Sequence, residues 1–322
     1  MKKISFIIPV KNGEKYIKRC LNSILSQDCD NYEVLVIDNN STDNTKKIIL
    51  NEFSSEKIKY FYLKKSGVSL ARNYGLKVAT GEYIIFIDVD DYIEKNTIST
   101  INDYLDQNYD VIKFNYYLVK ENKIPYLLFK NDYVFSSENK DELFELMFRT
   151  FKFNQLWGQA IRRECLKDLF FDENLKMAED YLFNYSLYKN CCKIICLKDV
   201  LYNYEYNLNG INYNATKEKI FSKINDIIYV DNLIYKDSHN QLLKTRIIDE
   251  VIPHIINYYA YAVISDDKYD VIKSLKENAF FCESMKAYKK MNINKFIIIC
   301  IQFNFYWILI RILRLKRIIK RR

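Results

Sequence analysis

The first hundred residues alternate between two periodicities, and this alternation limits the fold more than any other feature. Ile4 to Val10 is an apolar run of strand length that closes on Lys11-Asn12-Gly13-Glu14. Beyond Tyr16, the apolar positions Ile17, Cys20, Leu21, Ile24 and Leu25 follow helical spacing. A second apolar run, Tyr32 to Ile37, enters the polar cluster Asp38-Asn39-Asn40-Ser41-Thr42-Asp43. There Ser41, Thr42 or Asp43 can accept from the free amides that open a helix over Thr45 to Phe53. A strand at Ile58 to Leu63 and a loop entering a helix at Gly67 to Leu76 follow. Strand, helix, strand, helix, strand predicts an α/β fold with a doubly wound, mostly parallel sheet, whose ligands bind at the carboxyl ends of the strands. The first unit has no G-x-G-x-x-G and the chain has no G-x-x-x-x-G-K-[ST], so neither a dinucleotide site nor a P-loop is supported.

The next apolar run, Tyr83 to Ile87, delivers Asp88-Val89-Asp90-Asp91 to such a carboxyl end. If the strand continues, Asp88 and Asp90 point one way, and Val89 and Asp91 the other. Neighbouring carboxylates repel each other, and a hard divalent cation with oxygen ligands relieves the repulsion. A solvated acidic turn is the plainer reading of an isolated D-x-D.

Composition narrows the class. Of 322 residues, 49% are hydrophobic, with 28 Tyr and 20 Phe against 6 Gly and 3 Pro, which supports a folded core and excludes a disordered chain. The net charge of +8 is concentrated in Arg311, Arg314, Lys316, Arg317, Lys320, Arg321 and Arg322, so the body is close to neutral and a nucleic-acid partner is not indicated. Pro9 and the polar residues after Val10 end the first apolar run too early for a signal peptide, so a cytoplasmic location is expected. There the 8 Cys read as reduced thiols, and Cys191-Cys192-x-x-x-Cys196 lacks the second pair a zinc site needs. With 2 His, His239 and His254, separated in sequence, a His-based triad is not indicated either.

Past residue 110 the pattern changes. Strands are expected at Val111 to Val119, Tyr126 to Phe129 and Ile194 to Tyr204, and helices at Asp141 to Phe151 and around Ile161-Arg162-Arg163-Glu164. Glu179 and Asp180 open an amphipathic helix, where acids are also favoured by the helix dipole alone. From about Thr216 the chain reads as helices. Phe296 to Ile310 is almost wholly apolar, and Arg311, Arg314, Arg317 and Arg321 flank the stripe of Ile308, Ile312, Leu315 and Ile319. That arrangement suits a helix on an anionic membrane surface, while a helix packed on the domain with a solvated basic end is the plainer alternative.

Taken together, Ile7-Ile8-Pro9-Val10-Lys11-Asn12-Gly13-Glu14, Val36-Ile37-Asp38-Asn39-Asn40-Ser41-Thr42-Asp43, Gly67-Val68-Ser69 through Ala71-Arg72-Asn73, Gly81-Glu82-Tyr83 through Asp88-Val89-Asp90-Asp91, and Glu179-Asp180 occur in the order and spacing of family 2 glycosyltransferases. The resemblance covers roughly residues 1 to 205. It implies a GT-A fold and inverting transfer of a sugar from a nucleotide donor, usually a uridine diphosphate sugar, with Mn2+ or Mg2+ as cofactor. By resemblance, Pro9, Val10 and Glu14 match the loop that touches the nucleotide, Asp38-Asn39 the pair that reads the base, and Arg72 a basic residue beside the nucleotide. Asp90 matches the more direct metal ligand, Asp88 the acid shared between metal and ribose side, Glu179 a substrate-binding acid and Asp180 the catalytic base.

Three positions depart from the family pattern. Asn39 stands where many relatives carry an acid, which loosens the expectation of uracil. Glu205 follows Tyr204 where an Arg facing the diphosphate is common, and the Q-x-x-R-W motif of processive synthases is absent. The expectation is a metal-dependent enzyme that adds one sugar per encounter to a glycan or lipid-linked acceptor in bacterial surface-polysaccharide synthesis. Residues 1–215 would form the transferase domain, with 1–110 its nucleotide-sugar half and 111–215 its acceptor half; 216–295 would be a helical extension and 296–322 a membrane-associating tail. A sugar-nucleotide-binding protein without transferase activity and a sugar nucleotidyltransferase are the alternatives.

Overall fold

The computed structural model describes residues 3–150, 153–206, 217–238, 241 and 244–245. The chain divides into two compact units. The first comprises Met1–Leu143, Lys152–Leu175 and Glu179–Leu208, and the second Phe144–Phe151, Lys176–Ala178 and Asn209–Arg322.

The first unit is built on β1 (Ile4–Val10), β2 (Tyr32–Asp38), β3 (Ile58–Tyr62), β4 (Tyr83–Phe86), β5 (Tyr92–Ile93), β6 (Val111–Val119), β7 (Lys123–Tyr126), β8 (Tyr133–Ser136), β9 (Gln159–Arg162) and β10 (Lys193–Glu205). Its helices are α1 (Ile17–Leu25), α2 (Thr45–Glu52), α3 (Val68–Val78), α4 (Thr97–Leu105), α5 (Lys140–Thr150), which runs on into the second unit, and α6 (Glu179–Asn190). The main path of the sheet is β3-β2-β1-β4-β9-β6-β10-β5, with β7 beside β6 and β8 beside β10. Along that path every strand except β9 and β5 runs in one direction. The mostly parallel α/β sheet expected from the sequence is therefore present.

Ile4, Phe6, Ile8, Val34, Val36, Tyr83, Ile85 and Ile87 are buried together with Cys20, Leu21 and Ile24 of α1, and Ile7, Leu35, Ile37, Ile84 and Phe86 on the other face are buried as well, which is why these runs are apolar without alternation. Gly75 lets α3 lie directly on β1. A Cβ there would stand 2.4 Å from Cγ2 of Ile7, and Arg72 sits almost one turn earlier on the same helix.

The differences from expectation are local. Ile161 and Arg162 belong to β9, an antiparallel strand wedged between β4 and β6, and Arg163 to Leu166 form a short 3₁₀ helix; no longer helix forms there. Residues 123–126, and not 126–129, pair with β6. The strand before the acids stops at Phe86, and a turn in which Asp91 N donates to Asp88 O carries them.

In the second unit α7 (Lys217–Asp237) supplies Asp226, whose carboxylate accepts from the backbone N–H of Lys176 and Met177 at 2.8 and 3.2 Å. No helix among the described residues is long and apolar enough to cross a membrane. The expected tail at 296–322 lies outside the described residues.

Candidate active site

The loops after β1 and β2 are tied into one rim. Asn12 Oδ1 accepts from Thr42 N at 2.8 Å, Asn12 N donates to Ser41 Oγ at 2.9 Å, and Gly13 N donates to Thr45 Oγ1 at 2.8 Å. Asn12 and Asn40 make these turns with φ of 54° and 63°, a region asparagine tolerates better than most residues. Pro9 and Val10 end β1 beneath the rim. The Glu14 carboxylate turns to α2, where one oxygen accepts from Asn44 N and Nδ2, each at 3.0 Å.

Asp38 is fully buried, accepting from Ser41 N at 2.8 Å and from the Tyr60 hydroxyl at 2.6 Å. Asn39 donates its N–H to Val10 O at 2.7 Å and accepts on Oδ1 from Gly67 N at 2.7 Å. Its amide is thereby oriented with the NH2 end away from Gly67. The polar ends of β1 and β2 and the start of α3 thus meet at the carboxyl end of the sheet.

Arg72 comes off α3 with 4% of its surface exposed. Its Nη1 lies 2.5 Å from Asp180 Oδ1 and 3.0 Å from Glu179 Oε1, and Nη2 lies 3.6 Å from Asp88 Oδ1. The ring of Phe171 lies 5.4 Å beneath the guanidinium carbon. One buried cation thus joins the acids at the N-terminus of α6 to the acid that follows β4. Ala178, at φ 64°, turns the backbone just before those acids.

Burial and the repulsion of Glu179 and Asp88 push the Asp180 carboxyl up to about 8, against the pull of Arg72. Burial also raises Asp88, opposed by Arg72 and reinforced by Glu179, and burial and Asp88 raise Asp90 to about 6. Arg72 itself is held charged, because Asp180, Asp88 and Glu179 outweigh its own desolvation.

Asp91 faces the other way. It is 1% exposed and accepts from the Tyr202 hydroxyl at 2.7 Å and from Glu205 N at 2.8 Å. Asp91 diverges from Asp88, whose carboxylate turns to Arg72, although a turn produces this and not strand alternation. Tyr202 lies flat on Trp157, which lies flat on Tyr204, with centroids 4.8 and 5.1 Å apart.

The residues present fit a divalent cation, because Asp88 and Asp90 offer hard oxygens from one turn, both destabilised as anions by burial, Asp88 also by Glu179 and Asp90 also by Asp88. A separate group, Asp110, Cys165 and Cys191, has its sulfur and oxygen atoms within 4.8 Å of one another. The Asp110 carboxylate already pairs with Arg162 and accepts from Cys192 N and Lys193 N at 2.6 and 3.0 Å, which makes it a clasp for the start of β10.

Sequence reasoning missed Tyr60, Tyr202 and Arg19 as contributors to this region. Tyr60 and Tyr202 lie in apolar strands, and the only available signal was a hydroxyl at a buried position. Arg19 had no local signal.

Comparisons with known proteins agree with the architecture. The chain is 30% identical over 262 residues to the poly(ribitol-phosphate) beta-N-acetylglucosaminyltransferase TarS of Staphylococcus aureus, which covers 80% of this chain and 44% of TarS. It is 32% identical over 220 residues to the glycosyltransferase GlyA of Streptococcus pneumoniae, covering 65% of this chain and 31% of GlyA. The chain thus spans less than half the length of either relative. The crystal structure of S. aureus TarS residues 1–349 with UDP-GlcNAc superposes with a TM-score of 0.69 at 24% identity, covering 89% of this chain and 82% of that one, and so shares the GT-A fold. Residues 5–170, which hold the rim, Arg72 and the acidic turn, match the family model Glycosyl transferase family 2, and the chain belongs to that family.

Proposed function

We propose that this protein is an inverting glycosyltransferase that moves one sugar from a nucleoside diphosphate sugar, a UDP-sugar in particular, to a hydroxyl of a glycan or lipid-linked acceptor in surface-polysaccharide synthesis. The observation that carries the proposal is the bridge Asp88–Arg72–Asp180, which sets a raised-pKa carboxyl and an acidic turn on the two sides of one buried cation. The UDP-GlcNAc bound in the TarS structure and the N-acetylglucosaminyl transfer to poly(ribitol-phosphate) in the name of that relative support the choice of donor and acceptor class.

In this reading the rim of Pro9, Val10, Asp38 and Asn39 receives the nucleotide, with Glu14 bracing it through α2. Asp90 and Asp88 would hold Mn2+ or Mg2+, which when bound supplies the positive charge that a leaving diphosphate needs. Asp180 in its ionised form accepts the proton of the acceptor hydroxyl. An inverting displacement needs a base on the face opposite the leaving group, and a carboxyl raised toward neutrality is a stronger base than an ordinary one. Glu179 lies beside it on the substrate side, and Arg72 fixes Asp180 in direction. The cytoplasmic face of the membrane is the proposed location, reached through residues 296–322.

The test pairs binding with turnover. With Mn2+ present, a UDP-sugar at about 100 times its dissociation constant should stabilise the parent by about 2.7 kcal/mol. Asp180→Asn should keep that stabilisation and lose about 10²–10⁴-fold in transfer rate. Transfer by Asp180→Asn at the parent rate would remove Asp180 as the base. Binding without any turnover in the parent would favour the non-catalytic alternative.

A further inference from the structure

The turn Asp88 to Asp91 is held from behind at each of its acids. Asp88 N donates to the Tyr202 hydroxyl at 3.3 Å, and Asp91 is fixed by Tyr202 and by Glu205 N. Asp90, a cation ligand in the proposed reading, takes its support from Arg19 of α1, whose Nη2 donates to Asp90 O at 2.7 Å. The same guanidinium lies 2.9 Å through Nη1 from Glu205 Oε2 and 4.7 Å above the ring of Tyr92. Three segments of the chain, the acidic turn, β5 and the end of β10, therefore converge on one planar side chain. Glu205 closes the circuit, since its N–H holds Asp91 while its carboxylate holds Arg19.

We infer that Arg19 is a positioning residue for the metal site: with Glu205 and Tyr92 it fixes the backbone of Asp90 so that the Asp90 carboxylate stays beside that of Asp88. The inference rests on the proposed role of Asp88 and Asp90 as cation ligands. Three features of the contact favour a brace over an ordinary surface ion pair. Arg19 engages a backbone carbonyl, a carboxylate and a ring at once, a pattern that a planar fork of donors suits and a lysine does not. Its charge is compensated by Glu205, so it directs Asp90 without adding an uncompensated cation to the metal site. Glu205 also acquires a reason to be acidic at a position where the family resemblance calls for an arginine.

The experiment uses the full chain and two readouts, Mn2+ affinity by titration calorimetry and amide hydrogen exchange across residues 88–93 without metal. Arg19→Ala is expected to weaken Mn2+ binding about tenfold, as loss of a ligand's supporting partner typically does. It should also speed exchange in residues 88–93 while exchange in β1 and β2 is unchanged. Arg19→Lys should fall between the parent and Arg19→Ala. Glu205→Ala should resemble Arg19→Ala, and the double variant should be no worse than either single one, because both remove the same brace. Parent-like affinity and exchange in Arg19→Ala, or effects of the two single variants that simply add, would overturn the inference. If the parent itself binds neither Mn2+ nor Mg2+, the metal reading fails, and the exchange arm still decides whether Arg19 braces the turn.

Discussion

Asp180 and Arg72 illustrate how far a single side chain's chemistry depends on partners distant in sequence. The motif pair Glu179-Asp180 was legible because acids at a helix start, in that order after the D-x-D, form a recognisable pattern. Their ion pair with Arg72 was not, because 107 and 108 residues separate the partners and no periodicity spans that distance. Burial of Asp180 beside Glu179 and Asp88, which outweighs the pull of Arg72, has a pH signature. A carboxyl whose folded pKa is raised, here to about 8, binds a proton in the native state that the unfolded chain releases near its ordinary value of 3.8. The associated stability is complete at low pH and is lost as pH rises through about 8. In the ligand-free protein the thermal midpoint should therefore fall between about pH 5 and pH 8, and Asp180→Asn should flatten that fall. Arg72→Gln should destabilise more at pH 8 than at pH 5, because at the lower pH the acids left without their cation can protonate. Equal losses at both pH values would show that the acids do not depend on Arg72 for their charge.

At the scale of elements, the strands and helices of the first half follow directly from apolar spacing, and β1, β2 and β6 lie where expected to within a residue. The antiparallel β9 escaped because it is only four residues long and ends at Arg162, just before Arg163-Glu164, a charged run that resembles a helix surface, and its strand character comes from insertion between β4 and β6. One contact joins elements through a buried acid. Glu33 of β2, 3% exposed, accepts from Ser5 Oγ, Thr80 N and Thr80 Oγ1 at 2.7, 2.7 and 2.6 Å, and from Lys59 Nζ at 2.8 Å. Burial alone would raise its pKa, but the bonds from Lys59, Thr80 and Ser5 outweigh burial and hold it well below the usual carboxylate range. Its contribution is present above an unfolded pKa near 4.5 and is lost as pH falls below it. Acid unfolding followed by circular dichroism should thus begin at higher pH and proceed less steeply in a variant without this carboxylate than in the parent, and Glu33→Gln is that variant. An unchanged acid transition would mean that the clasp of β1, β2 and β3 does not depend on the charge.

For the whole molecule, the sheet collects the polar strand ends of β1, β2 and β4 along one edge, and this was the part of the candidate site most open to sequence reasoning. The contributions of β5, β10 and α1 to the acidic turn were hidden, since they depend on which strands become neighbours late in the chain. The basic and apolar residues at 296–322 belong to the same scale, because attachment to a membrane would determine which of the proposed acceptors the protein meets. Deleting 296–322 should abolish co-sedimentation with anionic vesicles while transfer to a soluble acceptor continues. Co-sedimentation that survives the deletion would move the membrane contact elsewhere in the chain.

The interlocked turns at Asn12 and Asn40 bear on the timing of donor capture. Each is already in its unusual backbone geometry and already bonded to the other, so these two turns would not have to order themselves on binding the proposed nucleotide. Encounter at this edge should be a single fast step governed by diffusion and orientation, and any slower kinetic phase should come from acceptor docking or product release.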